Sequence, residues 1–420
     1  MLGAEATRPG VIGGRRVLLV LCLTQITGWG VLVYGFPVLT PSVVAGTGWS
    51  TPVVVGAFSV SQLLAAVGGV PVGRLLDRHG PRLVMTVGSL LAVASLAVVA
   101  SARALPWFYA GWVLAGVAMA GVLYQPAFAA LTRWHDGERR VAALTAVTLA
   151  GGLASTVFAP LTDVLESHLG WRATYLVLAG VLAVLTVPAH LFGLRLPWPE
   201  APVTAETRRP TAIARSRPFA LLVVALSLAA LGVYGVIVPL VPLFAERGLS
   251  TTAAAWALGL GGAGQVVGRL AYGRLAARTD VRTRTAFVLL GAAGTTLLLG
   301  LVPGPAALLI AVAVLAGAFR GIFTLVHATA VTDRWGTAHY GRLSALVHAP
   351  FAVTAAIAPW AASALAGALG GYPAVFTVLA ALGGLAAVVS LKSVPPKPGP
   401  LGSGPIGSGP SESGRPGRAT

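Results

Sequence analysis

Apolar residues along this chain gather into long stretches separated by short polar breaks. A helix that crosses the apolar core of a bilayer needs about 20 such residues. Stretches of that kind fall near 17–44, 51–75, 83–102, 105–131, 141–165 and 172–194. After a polar break they resume near 218–244, 251–276, 285–303, 305–331, 343–367 and 372–391. The pattern predicts an all-α membrane protein of twelve transmembrane helices in two pseudo-symmetric six-helix bundles, 17–194 and 218–391. Between them, residues 195–217 (RLPWPEAPVTAETRRPTAIARSR) read as a linker. The Gly/Pro/Ser-rich segment 392–420 reads as a disordered tail.

Composition agrees with the pattern. Hydrophobic residues make up 56% of the chain and charged ones 10%, with 12 acidic residues in 420. The mean hydropathy is +0.83. A water-facing surface would need far more charge, so a soluble globular protein is excluded. The formal charge of +17 would suit a nucleic-acid partner, but the placement of the 29 Lys and Arg residues gives it another meaning. With residues 1–16 set in the cytoplasm, twenty-four of them fall on the cytoplasmic side, in clusters such as Arg74-Arg78-Arg82 and Arg274-Arg278-Arg282-Arg284. Three, Arg103, Arg172 and Arg247, fall on the opposite side. That asymmetry is the positive-inside rule, so the basic charge reports topology, and no nucleic-acid partner is expected. Both termini are expected in the cytoplasm, with the chain in the cytoplasmic (inner) membrane. Cys22 is the single cysteine, which rules out an intramolecular disulfide. The run after Arg15 and Arg16 is too long for a signal-peptide core and reads as a retained first helix.

The two groups repeat one another. Leu114-Ala115-Gly116 followed by Thr132-Arg133-Trp134 matches Leu315-Ala316-Gly317 followed by Asp333-Arg334-Trp335 at the same spacing. Gly73-Arg74-Leu75 matches Gly273-Arg274-Leu275, and Ala159-Pro160 matches Ala358-Pro359. Parallel six-helix repeats imply a pseudo-two-fold axis along the membrane normal, with a solute site between the halves.

The break after the second stretch reads Gly73-Arg74-Leu75-Leu76-Asp77-Arg78-His79-Gly80-Pro81-Arg82. It resembles the cytoplasmic loop signature of the major facilitator superfamily, G-x-L-x-D-R-x-G-R-[KR]. Gly73, Asp77, Arg78, Gly80 and Arg82 carry the match and are the expected gating residues. Asp77 at the membrane edge would pair with an arginine across the two halves and hold the inner gate shut. In the second half Ala277 stands at the matching position, so a weaker or differently made gate is expected there. Within the superfamily, Gly28-Trp29-Gly30, Tyr34-Gly35-Phe36-Pro37 and Gly268-Arg269-Leu270-Ala271-Tyr272-Gly273 resemble the monocarboxylate and oxalate/formate porters. That resemblance implies that Arg269 binds a substrate carboxylate. Two positions depart from it: Val38 replaces a basic residue, and Gln265 replaces an acid one turn before Arg269.

Charges inside the spans carry the chemistry. A mid-membrane arginine costs at least about 2.5–3.5 kcal/mol on insertion scales, so Arg269 and Arg320 each need a reason. Neither has an acid within a helical turn or two. Facing a cavity, both guanidinium groups would attract a small organic anion and grip a carboxylate through paired hydrogen bonds; the alternative is bonding to backbone carbonyls. Tyr34, Tyr124, Gln125 and Gln265 are the expected polar lining. His327 and His348 would donate to a solute, relay a proton or simply pack between helices. The expected activity is secondary transport of a small solute, such as a monocarboxylate, by alternating access, as a monomer, with a proton or counter-anion as coupling ion. Drug or metabolite efflux is the alternative, weakened because Gly151-Gly152-Leu153-Ala154-Ser155-Thr156-Val157-Phe158-Ala159-Pro160 lacks the exporter pattern G-x-x-x-G-P-x-x-G-G. No metal motif or nucleophile–base pair stands out, so no cofactor and no enzyme activity are expected.

Overall fold

The computed structural model describes residues 10–135, 137–198, 211–336 and 340–395. The expected N-terminal segment, linker and tail therefore lie partly outside the described residues. What is described is helical throughout: no strand occurs among these residues.

The first apolar stretch forms α1 (Gly10–Trp29), a π-helical turn at Gly30–Tyr34, and α2 (Gly35–Thr47). Helix α3 then runs from Thr51 to Ser101, 51 residues. At 1.5 Å per residue it would be about 76 Å long, far more than a bilayer core of about 30 Å. It is broken at Gly80, whose φ of 74° and ψ of 169° suit glycine alone. Contacts with α4 (Leu105–Val122) and α5 (Tyr124–Trp134) show the consequence. Gly116 meets Ser61 and Gln125 meets Gly69, so the first part of α3 runs alongside them. Gly121 meets Gly88 while Gly111 meets Val99, so the second part runs the opposite way. Gly80 is therefore a hairpin between two spans.

After α6 (Gly137–Gly152) the same device recurs in α7 (Ala154–Pro188). Gly170 has φ 73° and ψ 164°. Before it, Phe158 meets Gly30 and Glu166 accepts a hydrogen bond from Ser42 at 2.6 Å; beyond it, Leu178 turns back to Gly35. A second π-helical turn, Ala189–Gly193, ends this half with Gly193 against Val20 at the middle of α1.

The short helix α8 (Thr211–Ala214) precedes α9 (Arg217–Tyr234) and α10 (Leu240–Glu246). The pattern of residues predicts one helix over 218–244; instead Pro239, which has no N–H to give, sits in a turn between two helices. Helices α11 (Thr251–Arg278), α12 (Val281–Leu301), α13 (Ala306–Thr329), α14 (Thr332–Trp335), α15 (Tyr340–Leu369) and α16 (Tyr372–Ser390) follow. Among the described residues, nine helical stretches are long and apolar enough to cross a membrane. Two of the nine are the hairpins at Gly80 and Gly170. Helix α11 is not among the nine, although the sequence predicts a span there: its glycines, Gln265, Arg269 and Arg274 keep it too polar. The fold is an all-α, multi-pass membrane fold.

Packing in the first half centres on aromatics. Phe36 stacks on Phe58 at 4.5 Å, and Trp112 meets Phe36 edge-on at 4.9 Å. In the second half, α11 and α13 touch backbone to backbone. A Cβ on Gly268 would come within 2.1 Å of the Ala318 carbonyl oxygen, and one on Gly321 within 2.1 Å of that of Gln265. These glycines flank Arg269 and Arg320 in sequence, so the contact sets the register of both arginines. Large apolar side chains remain exposed on the outside, among them Val184 at 72% and Val70 at 65%, as a surface solvated by lipid requires.

Candidate functional site

A cavity of about 170 Å³ lies between the halves. Trp29 and Val33, Tyr34 of the π-helical turn, and Phe58 and Gln62 of α3 line one side. Tyr234, Phe351 and Pro359 face them. The π-helical turn matters here: its wider winding puts all five of its residues, Tyr34 included, into the buried interior.

The expected arginines stand beside this cavity rather than on its wall. Arg320 lies within electrostatic reach of Tyr34 and Tyr234, and Arg269 within reach of Tyr234 and Tyr124. Tyr234 is thus within reach of both guanidinium groups and also lines the cavity. Arg269 is buried, and its Nη1 donates to the Thr148 carbonyl of α6, across the halves. The guanidinium nestles over Gly152, where a Cβ would come within 2.5 Å of Nη1. This is the carbonyl pairing that the sequence left open as the alternative. The Nε atoms of Arg269 and Arg320, the Gln265 amide nitrogen and the Trp29 indole N–H are all buried without a partner. Every one of them is a donor. Buried donors of this kind fit a ligand that only accepts, such as a carboxylate. Among the described residues the two ion pairs are Asp77 with Arg133 and Arg284 with Asp333, and neither involves these arginines.

The remaining expected site residues divide. Tyr34 is on the cavity wall. Tyr124 lies behind the wall, its ring 4.9 Å from Trp29 and tilted 42° to it. Gln125 is exposed, with its side chain over Gly69, and does not reach the cavity. Proline explains this: Pro126 has no N–H for the Val122 carbonyl and its ring crowds that carbonyl, so the helix breaks at an extended Leu123 and Gln125 is re-aimed at the start of α5. His327 and His348 are brought together, ring centroids 5.6 Å apart, in a separate cavity of about 240 Å³.

Of the expected gating residues, Asp77 and Gly80 cluster with Arg133 and Trp198 within the first half. Asp77 pairs with Arg133, not with an arginine across the halves. The reason is the repeat itself: the end of α5 carries Arg133 beside the Gly80 hairpin. The Arg133 guanidinium sits 4.5 Å over the Trp198 ring, whose indole N–H donates to the Asp77 carbonyl at 3.3 Å. Gly80 packs on the same indole, and Arg82 Nε donates to the Leu191 carbonyl at 2.8 Å. Gly73 has open space around its α-carbon, and Arg78 is exposed. The second half builds its pair from other positions. Arg284 Nη2 donates to Asp333 at 2.5 Å, and Arg334 bonds Ser393, Thr285 and the Ala330 carbonyl.

Sequence reasoning missed Trp29, Phe58, Phe351 and Pro359 as cavity wall. In a chain so rich in apolar residues, an aromatic bears no mark of which face it occupies. The Ala358-Pro359 repeat was a signal for the last of them.

Comparison with known proteins gives a consistent picture. The profile described as Major Facilitator Superfamily matches residues 17–309 and 220–412. Mouse monocarboxylate transporter 11 is 32% identical over 227 residues, 52% of this chain and 50% of the relative. The oxalate:formate antiporter of Oxalobacter formigenes is 28% identical over 42% of each chain. Rat monocarboxylate transporter 4 is 27% identical over 62% of this chain and 60% of its own. The chain thus spans about half the length of the curated relatives it matches. Among solved structures, a bacterial homolog of the human lysosomal transporter Spinster, inward-facing and unoccupied, superposes with a TM-score of 0.69 at 16% identity. That match covers 92% of this chain and 99% of the other.

Proposed function

Because this chain belongs to the major facilitator superfamily, we propose that it carries a small organic anion across the cytoplasmic membrane by alternating access, as a secondary transporter. In this reading the twelve spans form two six-helix bundles with both termini in the cytoplasm. Splitting the hairpins at Gly80 and Gly170 and counting α11 as a span supports that arrangement. The positive-inside distribution of arginines supports the orientation. The halves rock about the central cavity, and the Asp77–Arg133 cluster stiffens the cytoplasmic end of the first half.

The anion rests on one observation: the Nε donors of Arg320 and Arg269 and the Trp29 indole N–H are buried without acceptors, on the wall of an aromatic-lined cavity or within electrostatic reach of its tyrosines. The relatives named for monocarboxylates and for oxalate and formate support the same class. Arg320 is the expected anchor, because Arg269 already spends a donor on Thr148. Uptake of radiolabelled lactate, formate and oxalate into proteoliposomes tests this. Arg320→Ala should cut uptake at least tenfold, with partial recovery in Arg320→Lys. Undiminished uptake in Arg320→Ala would remove the anion argument and leave the carrier.

A further inference from the structure

The cavity holding His327 and His348 lies toward the Arg-rich end of the molecule, and the central site does not use it. Its walls include Ala328, Val331, Ser344 and Val347 beside the two imidazoles. Along α15, Ser344, His348, Phe351, Ala355 and Pro359 follow helical spacing and so share one face. The last three of these line the central cavity. Along α13, Arg320 and His327 lie two turns apart on one face, a rise of about 10 Å. Phe351 joins the two spaces: it stacks on His327 at 3.9 Å, lies 5.9 Å from His348, and meets Tyr234 edge-on at 5.9 Å. The order along this path is imidazole pair, Phe351, tyrosines, Arg320.

We propose that His327 and His348 together hold one exchangeable proton, and that this pair is the coupling-ion site of the transport cycle. The inference rests on the transport reading for its role in the cycle, but the site itself stands on the geometry of the two rings. A neutral imidazole takes a proton from vestibule water onto its unprotonated nitrogen. At this separation a second positive charge on the facing ring is opposed by the first, so the pair holds one proton, not two. Among the described residues no carboxylate lies close enough to act on either ring. Arg320 and Arg342 share α13 and α15 with the rings, and Tyr234 comes from α9. Asp333 of α14 is held by Arg284 and by the Thr329 hydroxyl at 2.9 Å. Arg334 is bonded to Ser393 and Thr285, and Tyr272 of α11 shares a hydrogen bond with Thr329. A proton on the imidazole pair adds positive charge on the same path as Arg320. It therefore favours an anion in the cavity, and departure of the anion favours loss of the proton.

Two measurements test this. In the full chain in lipid nanodiscs, with ¹³Cε1-labelled histidine, the two rings should titrate as one coupled step. The His348→Gln variant should shift the His327 midpoint by at least half a pH unit. Independent titrations, unchanged by substitution of the partner, overturn the proposal, as do rings that take no proton between pH 4 and 9. In proteoliposomes loaded with a pH dye and given a gradient of lactate, formate or oxalate, the unaltered protein should move about one proton per anion. His327→Gln and His348→Gln should bring that ratio to near zero; an unchanged ratio overturns the coupling role. If none of the three anions moves in the unaltered protein, the transport reading fails, and the ring titration still decides the proton site.

Discussion

At the scale of single residues, the structure separates polar groups that serve the cavity from those that serve the backbone. Gln25 is completely buried, and its Nε2 donates to the Val122 carbonyl at 2.7 Å. That carbonyl would normally accept from the N–H four residues on, at position 126, and Pro126 has none. The glutamine replaces a bond the proline removes. Replacing Gln25 with Leu keeps the volume but strands the carbonyl, which costs about 1–3 kcal/mol. Thermal unfolding in detergent should register that loss, while the apparent affinity for the transported solute stays as it was. A shift in affinity with no loss of stability would instead put Gln25 in the site. In sequence, Gln25, Gln62, Gln125 and Gln265 look alike as lone amides in apolar stretches. Burial of an amide depends on which neighbour lacks a backbone partner, and that is settled in three dimensions. The two membrane arginines were legible because a buried charge is costly wherever it faces. Their tyrosine neighbours were legible only as types.

Elements were read better than residues, because a span announces itself by length and hydropathy, and nearly every predicted stretch is a helix. What the pattern hides is how spans join. The Gly80 and Gly170 hairpins have almost no loop: a single residue with left-handed φ turns helix into helix, and local polarity barely changes. The two glycines also differ in surroundings. A Cβ on Gly170 would meet nothing within 4 Å, whereas one on Gly80 would lie 3.4 Å from Trp198, in ordinary van der Waals contact. Gly170→Ala should therefore cost only the backbone strain of a non-glycine residue in that region, about 1–3 kcal/mol. Gly80→Ala should cost the same strain and, because backbone relaxation there shifts the hairpin on which Trp198 packs, loosen Trp198 from Asp77 and Arg133. Quenching of tryptophan fluorescence by iodide reads the difference: Trp198 should become more accessible in Gly80→Ala and stay unchanged in Gly170→Ala. Equal quenching in both variants would mean that the Trp198 contact does not depend on the hairpin.

On the scale of the whole molecule, the two halves use one plan with different parts. The repeat places Arg133 and Arg334 at equivalent points, and the chain leaving the last helix of each half folds back onto them: Trp198 under Arg133, Ser393 against Arg334. The expectation of a weaker second gate came from Ala277 standing where Asp77 has its counterpart. The structure supplies the acid from Asp333 instead, and the sequence shows that residue inside the repeated triplet without showing that Arg284 would reach it. Burial then sets the energies apart. The Asp77 side chain is 59% exposed, whereas Arg284 is 8% exposed and Asp333 25%. An exposed pair contributes about 0–1 kcal/mol after screening by water and salt. Breaking a mostly buried pair costs about 3–5 kcal/mol, because the surviving charge has no water to turn to. Asp333→Asn should therefore lower thermal stability sharply, with Arg284 left in a dry setting. Asp77→Asn should leave stability nearly unchanged and act on transport, since a weak pair at a moving edge can shift populations of conformers without holding the fold together. Unfolding curves and anion uptake measured on both variants separate the cases: comparable losses of stability would mean that the first-half pair is structural as well, and that it gates nothing.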